Sequence, residues 1–253
     1  MRIDEYLFRK GFFDSRTKAK QAIENGNVLF NGKKILKSSK DVSESEKIEI
    51  SVTADESFVS LGGYKLSKAL KDFNFSVKNL IVADIGASTG GFTDCLIKNG
   101  AAKVYAVDLN DDLLHNSLKN NDKVVRIIKN AKNLTLADFT DSLDLITADL
   151  SFISLKQVLS VFYNILPADG KVILLIKPQF EIGEKRKFKN GIIKDEKLKK
   201  QVCLEVYETA RIVGFHALDM TVAPLKEDKN TEFLILLTKN GGKDFTFNEL
   251  YKF

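Results

Sequence analysis

Residues 84–92, Asp-Ile-Gly-Ala-Ser-Thr-Gly-Gly-Phe, decide the fold. They follow an apolar run, Leu80 to Ile85, and open a helix, so a strand passes into a helix through a glycine-rich turn. Apolar, β-branched runs recur at Lys103 to Val107, Val124 to Ile127, Leu143 to Ala148 and Lys171 to Ile176, with helical stretches between them. Strand alternating with helix is the pattern of a parallel sheet covered on both faces, an α/β architecture that binds ligands at the carboxyl ends of its strands. A helix from about Asp195 to Val213 then precedes two strands, His216 to Val222 and Glu232 to Thr238, spaced as a hairpin.

Upstream the pattern differs. Ile3, Leu7 and Phe8 recur at helical spacing up to Gly11, and Asp14 or Ser15 can cap a second helix that buries Ala19, Ala22 and Ile23 and stops at Gly26. Val28 and Phe30, then Asn31-Gly32, then Ile35 spell a tight hairpin, because Asn-Gly supplies the positive φ angles of a type I′ turn. Val42 with Ile48 and Ile50 suggests a further strand pair. Residues 53–60, Thr-Ala-Asp-Glu-Ser-Phe-Val-Ser, lack a strong period and read as a linker, which sets domains at 1–52 and 61–253.

With 44% hydrophobic and 29% charged residues, the 253-residue chain can build a real core, which excludes disorder. The net charge is +5, and residues 1–50, with eleven basic against eight acidic side chains, carry +3 of it. A small basic module suits a polyanionic partner. Cys95 and Cys203 stand far apart with only His115 and His216 to help them, so neither a zinc site nor a disulfide framework is expected and a reducing cytoplasm fits. Arg2, Asp4, Glu5, Arg9 and Lys10 interrupt any secretory h-region, and the longest apolar runs, Val172 to Ile176 and Phe233 to Leu237, are strand-sized. A cytoplasmic protein with no membrane span and no metal is expected.

Three readings compete for the loop. A dinucleotide wants G-x-G-x-x-G, but Ser88 occupies the place of the second glycine. A hydrolase is suggested by Gly86-Ala87-Ser88-Thr89-Gly90, which matches the G-x-S-x-G nucleophile elbow, yet His216 falls in a strand pattern and His115 on a helix face. The third is S-adenosylmethionine, with Asp84 at the strand end, Gly86, Ala87, Ser88, Thr89, Gly90, Gly91 and Phe92 forming the turn, and Asp108 at the next strand end, placed to accept ribose hydroxyls. Helix capping or turn chemistry is the bland alternative for both aspartates.

Two further strand ends carry unusual residues, Asp149 in Ala-Asp-Leu-Ser-Phe and Lys177 in Leu-Leu-Ile-Lys-Pro-Gln-Phe-Glu. A lysine directly after Val172 to Ile176 is costly unless paired or functional, so it asks for a carboxylate. Asp149 and Glu232 can supply one, and Lys65, in Gly-Gly-Tyr-Lys-Leu, is a second cation near the sheet. In a doubly wound sheet these ends converge.

Together the stretches Gly-Gly-Tyr-Lys-Leu, Asp-Ile-Gly-Ala-Ser-Thr-Gly-Gly-Phe-Thr-Asp-Cys-Leu, Asp-Leu-Ser-Phe-Ile-Ser-Leu, Lys-Pro-Gln-Phe-Glu and Thr-Glu-Phe-Leu resemble the TlyA family, the haemolysin A proteins, over nearly the whole chain. The resemblance implies a Rossmann-like class I methyltransferase sheet of the FtsJ-like kind and S-adenosylmethionine-dependent methylation of a ribose 2′-hydroxyl of ribosomal RNA, with cytidine as target. It implies a catalytic tetrad of Lys65, Asp149, Lys177 and Glu232, and a cofactor site at Asp84 to Phe92 with Asp108 and Asp149. Arg-Ile-Asp-Glu-Tyr-Leu, Asp-Ser-Arg-Thr-Lys-Ala and Gly-Asn-Val-Leu-Phe-Asn-Gly-Lys resemble the S4-type RNA-binding domain, a small α+β fold. The partners implied are ribosomal RNA or ribosomal subunits. Two places depart from the family: Leu61 where an arginine is usual, and Lys226-Glu-Asp-Lys-Asn230 where a glycine-bearing loop is usual.

The chemistry is coherent on its own terms. A ribose hydroxyl is a poor nucleophile at neutral pH, and Lys177 can serve as its base if the cation Lys65 and desolvation favour the free amine while Asp149 and Glu232 pull the other way. Amino methylation fits less well, because Asp149-Leu-Ser-Phe lacks a proline-aromatic pattern, and both cysteines fall in helices rather than where a carbon methyltransferase needs its nucleophile. RNA contacts are expected at Arg2, Arg9, Lys10, Arg16, Lys18, Lys20, Lys33 and Lys34 and at the basic rim of Lys185, Arg186 and Lys187. The rivals are a non-catalytic RNA-binding ribosome assembly factor and a membrane-active haemolysin, and the sequence has no spanning or strongly amphipathic basic helix for the latter.

Overall fold

In this computed structural model, which describes residues 1–13, 15–24, 26–43, 50–52, 58–182, 191–224, 229–241 and 244–253, the chain divides into two units, Met1–Ser57 and Phe58–Phe253. In the first, α1 (Ile3–Arg9) and α2 (Arg16–Glu24) pack through Ile3, Leu7, Ala19, Ala22 and Ile23, with Val28, Ile35 and Val42 completing a small core. Ser15 Oγ accepts the Lys18 N–H (3.2 Å) where α2 begins; Asp14, the other expected cap, lies outside the described residues. Between β1 (Val28–Phe30) and β2 (Lys33–Lys34), Asn31 and Gly32 form the two-residue loop with φ of 50° and 75°, as the Asn-Gly pair demands.

One expected pairing is different. The strand β3 (Ile50–Val52) joins β1, with Ile50 opposite Phe30, and not Val42. Val42 instead exchanges hydrogen bonds with Met1: its N–H donates to Met1 O, and the Met1 amino group donates to Val42 O, each at 2.8 Å. The cause is β1, whose second edge has its own N–H and C=O groups to satisfy, so the sheet order is β2-β1-β3. Ile48 lies outside the described residues.

The second unit runs α3 (Leu61–Asp72), β4 (Ile81–Ile85), α4 (Gly91–Lys98), β5 (Lys103–Asp108), α5 (Asn116–Lys119), β6 (Val124–Ile128), β7 (Leu145–Ala148), α6 (Leu159–Ile165), β8 (Lys171–Ile176), α7 (Pro178–Glu181), α8 (Glu196–Val213), β9 (His216–Val222), β10 (Phe233–Thr238) and α9 (Phe247–Leu250). The sheet order is β6-β5-β4-β7-β8-β10-β9; the first five strands are parallel and β10 is antiparallel to both its neighbours. Period-two alternation sorts the central strands between two large cores. Val82, Val104, Ile173, Leu175 and Leu234 pack with α3 and α4, while Ile85, Val107, Val172, Leu174, Ile176 and Ile235 pack with α6 and α8.

The chain leaves β4 toward β5 and later returns to β7 on the other side, so the order reverses between β4 and β7. Ligands of open α/β sheets bind at such a switch point. Phe58, Val59 and Ser60, expected in the linker, are built into this unit: the Phe58 ring meets Tyr64 edge-on at 5.1 Å, the Val59 N–H donates to Asp94 Oδ2 (2.9 Å), and Ser60 precedes the first turn of α3. No described helix is long and apolar enough to cross a membrane.

Candidate active site

The turn after β4 is held from below. Gly86 and Ala87 N–H groups both donate to Val107 O (2.8 and 3.1 Å), while the Ser88 N–H donates to Asp108 Oδ2 (2.8 Å). Asp108 Oδ1 also accepts from the Leu109 and Asn110 N–H groups (2.7 and 3.2 Å), so its carboxylate ties the turn to the end of β5. Ser88 takes φ +49°, a left-handed conformation although it is not glycine. Gly86 is required twice over: its φ is +84°, and a Cβ there would lie 2.7 Å from Asp149 O. Gly91 is pressed by Ser60, whose Oγ would meet a Cβ at 2.3 Å.

A cavity of about 130 Å³ opens over this turn, bounded by Ser60 and Gly62, by Gly86 to Thr89 with Gly91 and Phe92, and by Asp149, Ser151 and Lys177. Ser60, Gly62 and Ser151 were not singled out in the sequence. The signal for Ser151 was present, since it lies within the Asp-Leu-Ser-Phe stretch; Ser60 was hidden by its assignment to the linker.

Lys177 Nζ lies 2.5 Å from Asp149 Oδ1 and donates a hydrogen bond to Ser151 Oγ at 2.9 Å. Oδ1 receives no aligned hydrogen bond, so its contact with the ammonium is ionic. The lysine is only 9% exposed, and its ammonium also sits 5.6 Å from the centre of the Phe180 ring. Lys65 Nζ pairs separately with Glu232 Oε2 at 2.6 Å. The four expected residues thus form two ion pairs at the carboxyl edge of the sheet. Topology explains this: Asp149 N–H donates to Ile85 O (3.0 Å), and pairing of Phe233 with Ile176 puts Glu232 next to Lys177 in register.

Asp84 is elsewhere. Its carboxylate is fully buried behind the turn, accepting the Thr93 hydroxyl (2.6 Å) and the Thr147 hydroxyl (3.0 Å), and it does not border the cavity. Burial pushes its carboxyl up to about 7, against those two hydrogen bonds. It braces β4, α4 and β7 beneath the turn. A second buried acid, Glu181, accepts the Ser154 hydroxyl (2.5 Å) and the Leu155 N–H (2.8 Å), and burial raises it too. Cys95 and Cys203 are buried in α4 and α8, and desolvation raises both thiols, Cys95 to about 12.

The hydrolase alternative fails on position. β9 runs parallel to β4, and His216 opens it, so it lies at the sheet edge opposite Ser88, near Asp244 (3.7 Å). The His115 ring bonds Ser117 Oγ (2.8 Å) as the cap of α5. Among the described residues no group of three or more potential metal ligands gathers.

In the first unit Arg2, Arg9, Lys10, Arg16, Lys18, Lys20, Lys33 and Lys34 are all exposed. Acids organise several of these: Arg2 Nη2 and Arg16 Nε contact Asp4 (2.9 and 3.4 Å), Arg16 Nη1 lies 3.6 Å from Glu5, Arg9 pairs with Glu5 at 2.6 Å, and Lys20 lies 3.8 Å from Glu24. Burial works against the Asp4 carboxylate, but hydrogen bonds from both arginines outweigh it and hold the group below its usual range. Lys185, Arg186 and Lys187 lie outside the described residues, as does most of the 226–230 loop.

Residues 58–240 match the family model described as FtsJ-like methyltransferase, and residues 1–48 match the S4 domain. The chain is 39% identical over 237 residues to "Hemolysin A" of Brachyspira hyodysenteriae, covering 92% of this chain and 98% of that one. It is 35% identical over 238 residues to "16S/23S rRNA (cytidine-2'-O)-methyltransferase TlyA" of Mycobacterium tuberculosis, covering 93% of this chain and 89% of that one. A crystal structure from Lactococcus lactis that carries the name hemolysin superposes with a TM-score of 0.72 at 38% identity, covering 78% of this chain and 97% of that one. The family match runs over most of the chain, the relatives align over nearly all of it, and the sheet, turn and ion pairs described above lie inside it: this chain belongs to the FtsJ-like methyltransferases, with an S4 domain ahead of the catalytic unit.

Proposed function

We propose that the protein transfers a methyl group from S-adenosylmethionine to a ribose 2′-hydroxyl of ribosomal RNA, at cytidine, within the cytoplasm. The observation that carries the reading is the contact of the buried Lys177 with Asp149, beside a glycine-lined turn at the switch point of the sheet, with the half-buried Lys65–Glu232 pair at the same edge. The turn fits the cofactor: at Gly86 and Gly91 a side chain would collide with the neighbouring elements, which leaves bare backbone facing the cavity. Gly86 to Phe92 would hold the amino-acid part and Asp108 the ribose. When bound, the cofactor supplies a sulfonium-activated methyl group. Metal plays no part in this reading.

Lys177, as the free amine, takes the 2′-hydroxyl proton at Nζ while the oxygen attacks. Asp149 and Ser151 fix the direction of Nζ, and Asp149 stabilises the ammonium that results. Lys65, held by Glu232, presents a fixed positive charge at the same edge. The S4 domain adds affinity for phosphate through its exposed basic residues, and Lys185, Arg186 and Lys187, which follow Lys-Pro-Gln-Phe-Glu in the sequence, are further basic residues suited to phosphate. The deciding experiment incubates purified protein and labelled S-adenosylmethionine with ribosomal subunits from cells lacking the gene, then maps 2′-O-methyl groups. Label at one cytidine ribose, absent with Lys177→Ala, is the expected result; label on a base, or none with every subunit form, would overturn the proposal.

A further inference from the structure

Glu181 takes no part in the chemistry above. It ends α7, the short helix that starts one residue after Lys177, and it is 7% exposed. Both its oxygens reach across to the loop after β7, accepting the Ser154 hydroxyl at 2.5 Å and the Leu155 N–H at 2.8 Å. That loop, residues 149–154, also carries Asp149 and Ser151, the two groups on Lys177 Nζ. Glu181 therefore joins the lysine's strand end to the aspartate's strand end, behind the reacting groups.

The loop needs such a hold. Phe152, in its middle, has φ +64°, a left-handed conformation that residues with a side chain seldom adopt, and its side chain is 91% exposed. Among the described residues its ring neighbour is Phe180, at 5.1 Å, on the same short helix as Glu181. Backbone in such a state persists only where its surroundings over-determine it. On the far side Lys156 pairs with Glu205 of α8 (2.9 Å), which anchors the following turn but touches neither Asp149 nor Ser151. We propose that Glu181 is a positioning residue, whose two hydrogen bonds keep the 149–154 loop in the form that sets Asp149 and Ser151 on Lys177. This rests on the methyl-transfer reading for its functional consequence, though not for the clamp itself.

The test compares full-length wild type with Glu181→Gln, Glu181→Ala and Ser154→Ala in three measurements: cofactor affinity by calorimetry, single-turnover methyl transfer, and hydrogen exchange of the peptide over residues 150–158. Glutamine can still accept the Leu155 N–H and donate to Ser154 Oγ, so it should keep the rate within about threefold and the exchange unchanged. Alanine strands both donors, and should speed exchange in this peptide but not in the sheet strands, while the single-turnover rate falls about 10- to 100-fold and cofactor affinity stays within about threefold. A role in stability alone would lower affinity and folded fraction together. The proposal is overturned if Glu181→Ala frees the loop yet keeps the wild-type rate, or if Glu181→Gln loses as much as alanine. Should Glu181→Ala fail to fold, a normal rate in Glu181→Gln with a slowed rate in Ser154→Ala supports it, and normal rates in both overturn it. A wild type that transfers no methyl group refutes the reaction, and the exchange data still decide the clamp.

Discussion

Phe233 stands opposite Ile176 where β10 pairs antiparallel with β8. Because β10 runs against the five parallel strands, its first residue lies at their carboxyl edge, and Glu232 just before it arrives beside Lys177. A parallel strand in that place would have sent its entry residue to the far edge. The single reversed strand is what allows a late residue to complete a site whose other members leave strands at their carboxyl ends.

Removing the lysine that Asp149 and Ser151 orient should separate binding from chemistry. Lys177→Ala is expected to slow single-turnover methyl transfer about 100-fold or more, with cofactor and RNA affinity nearly unchanged. Lys177→Arg should not restore it, since a guanidinium stays protonated and cannot accept the hydroxyl proton. Full activity in the arginine variant would reduce the role of Lys177 to a fixed charge.

Asp108 offers a different test, because its carboxylate serves the protein before any ligand arrives. It accepts three backbone N–H groups, one of them from Ser88 in its left-handed conformation. Asp108→Ala is expected to weaken cofactor binding by about 1–3 kcal/mol through loss of charge-assisted hydrogen bonds. Asp108→Asn keeps one acceptor oxygen and should lose less. Calorimetry giving equal affinity in all three proteins would remove Asp108 from the site.

Much of this site could be read from the sequence because each strand-end residue breaks a local rule: an acid or a lysine next to an apolar run, or glycines clustered where a helix begins. The Asn31-Gly32 hairpin was legible for the same reason, being fixed by two adjacent residues. What sequence could not supply was partnership over distance. Nothing local told that β3 would choose β1 over Val42, that Lys65 would pair with Glu232 and Lys177 with Asp149, or that Asp84 would turn inward to Thr93 and Thr147. Those choices are made by sheet order and register.

The buried Asp84 gives stability a definite pH dependence. Its carboxyl is raised by burial to about 7 in the fold and titrates in the usual carboxylate range when unfolded. The folded state therefore binds the proton more tightly, so the contribution is fully present below the unfolded value and is lost as pH rises through about 7. Between pH 5 and pH 8 the wild type should lose on the order of a few kcal/mol relative to Asp84→Asn, which has no such titration. Urea unfolding at the two pH values measures this. A pH-independent difference between the two proteins would mean that the carboxylate stays ionised in the fold.

The last prediction divides the labour between the two units. Phe58–Phe253 has its own cores and contains the whole cavity, and Phe58 and Val59 are anchored within it on Tyr64 and Asp94. A chain beginning at Phe58 should therefore fold and bind S-adenosylmethionine as the full protein does. Its RNA affinity should fall, because the exposed arginines and lysines of the S4 domain are gone. The slope of log affinity against log salt should become shallower as well, since each lost phosphate contact releases fewer counterions, at about 0.7 to 0.9 of a unit per contact. The two effects come from the same charges and must appear together. Measuring RNA binding for both chains between about 50 and 200 mM salt checks them, and equal affinity with equal slope would show that the catalytic unit binds RNA without help from the S4 domain.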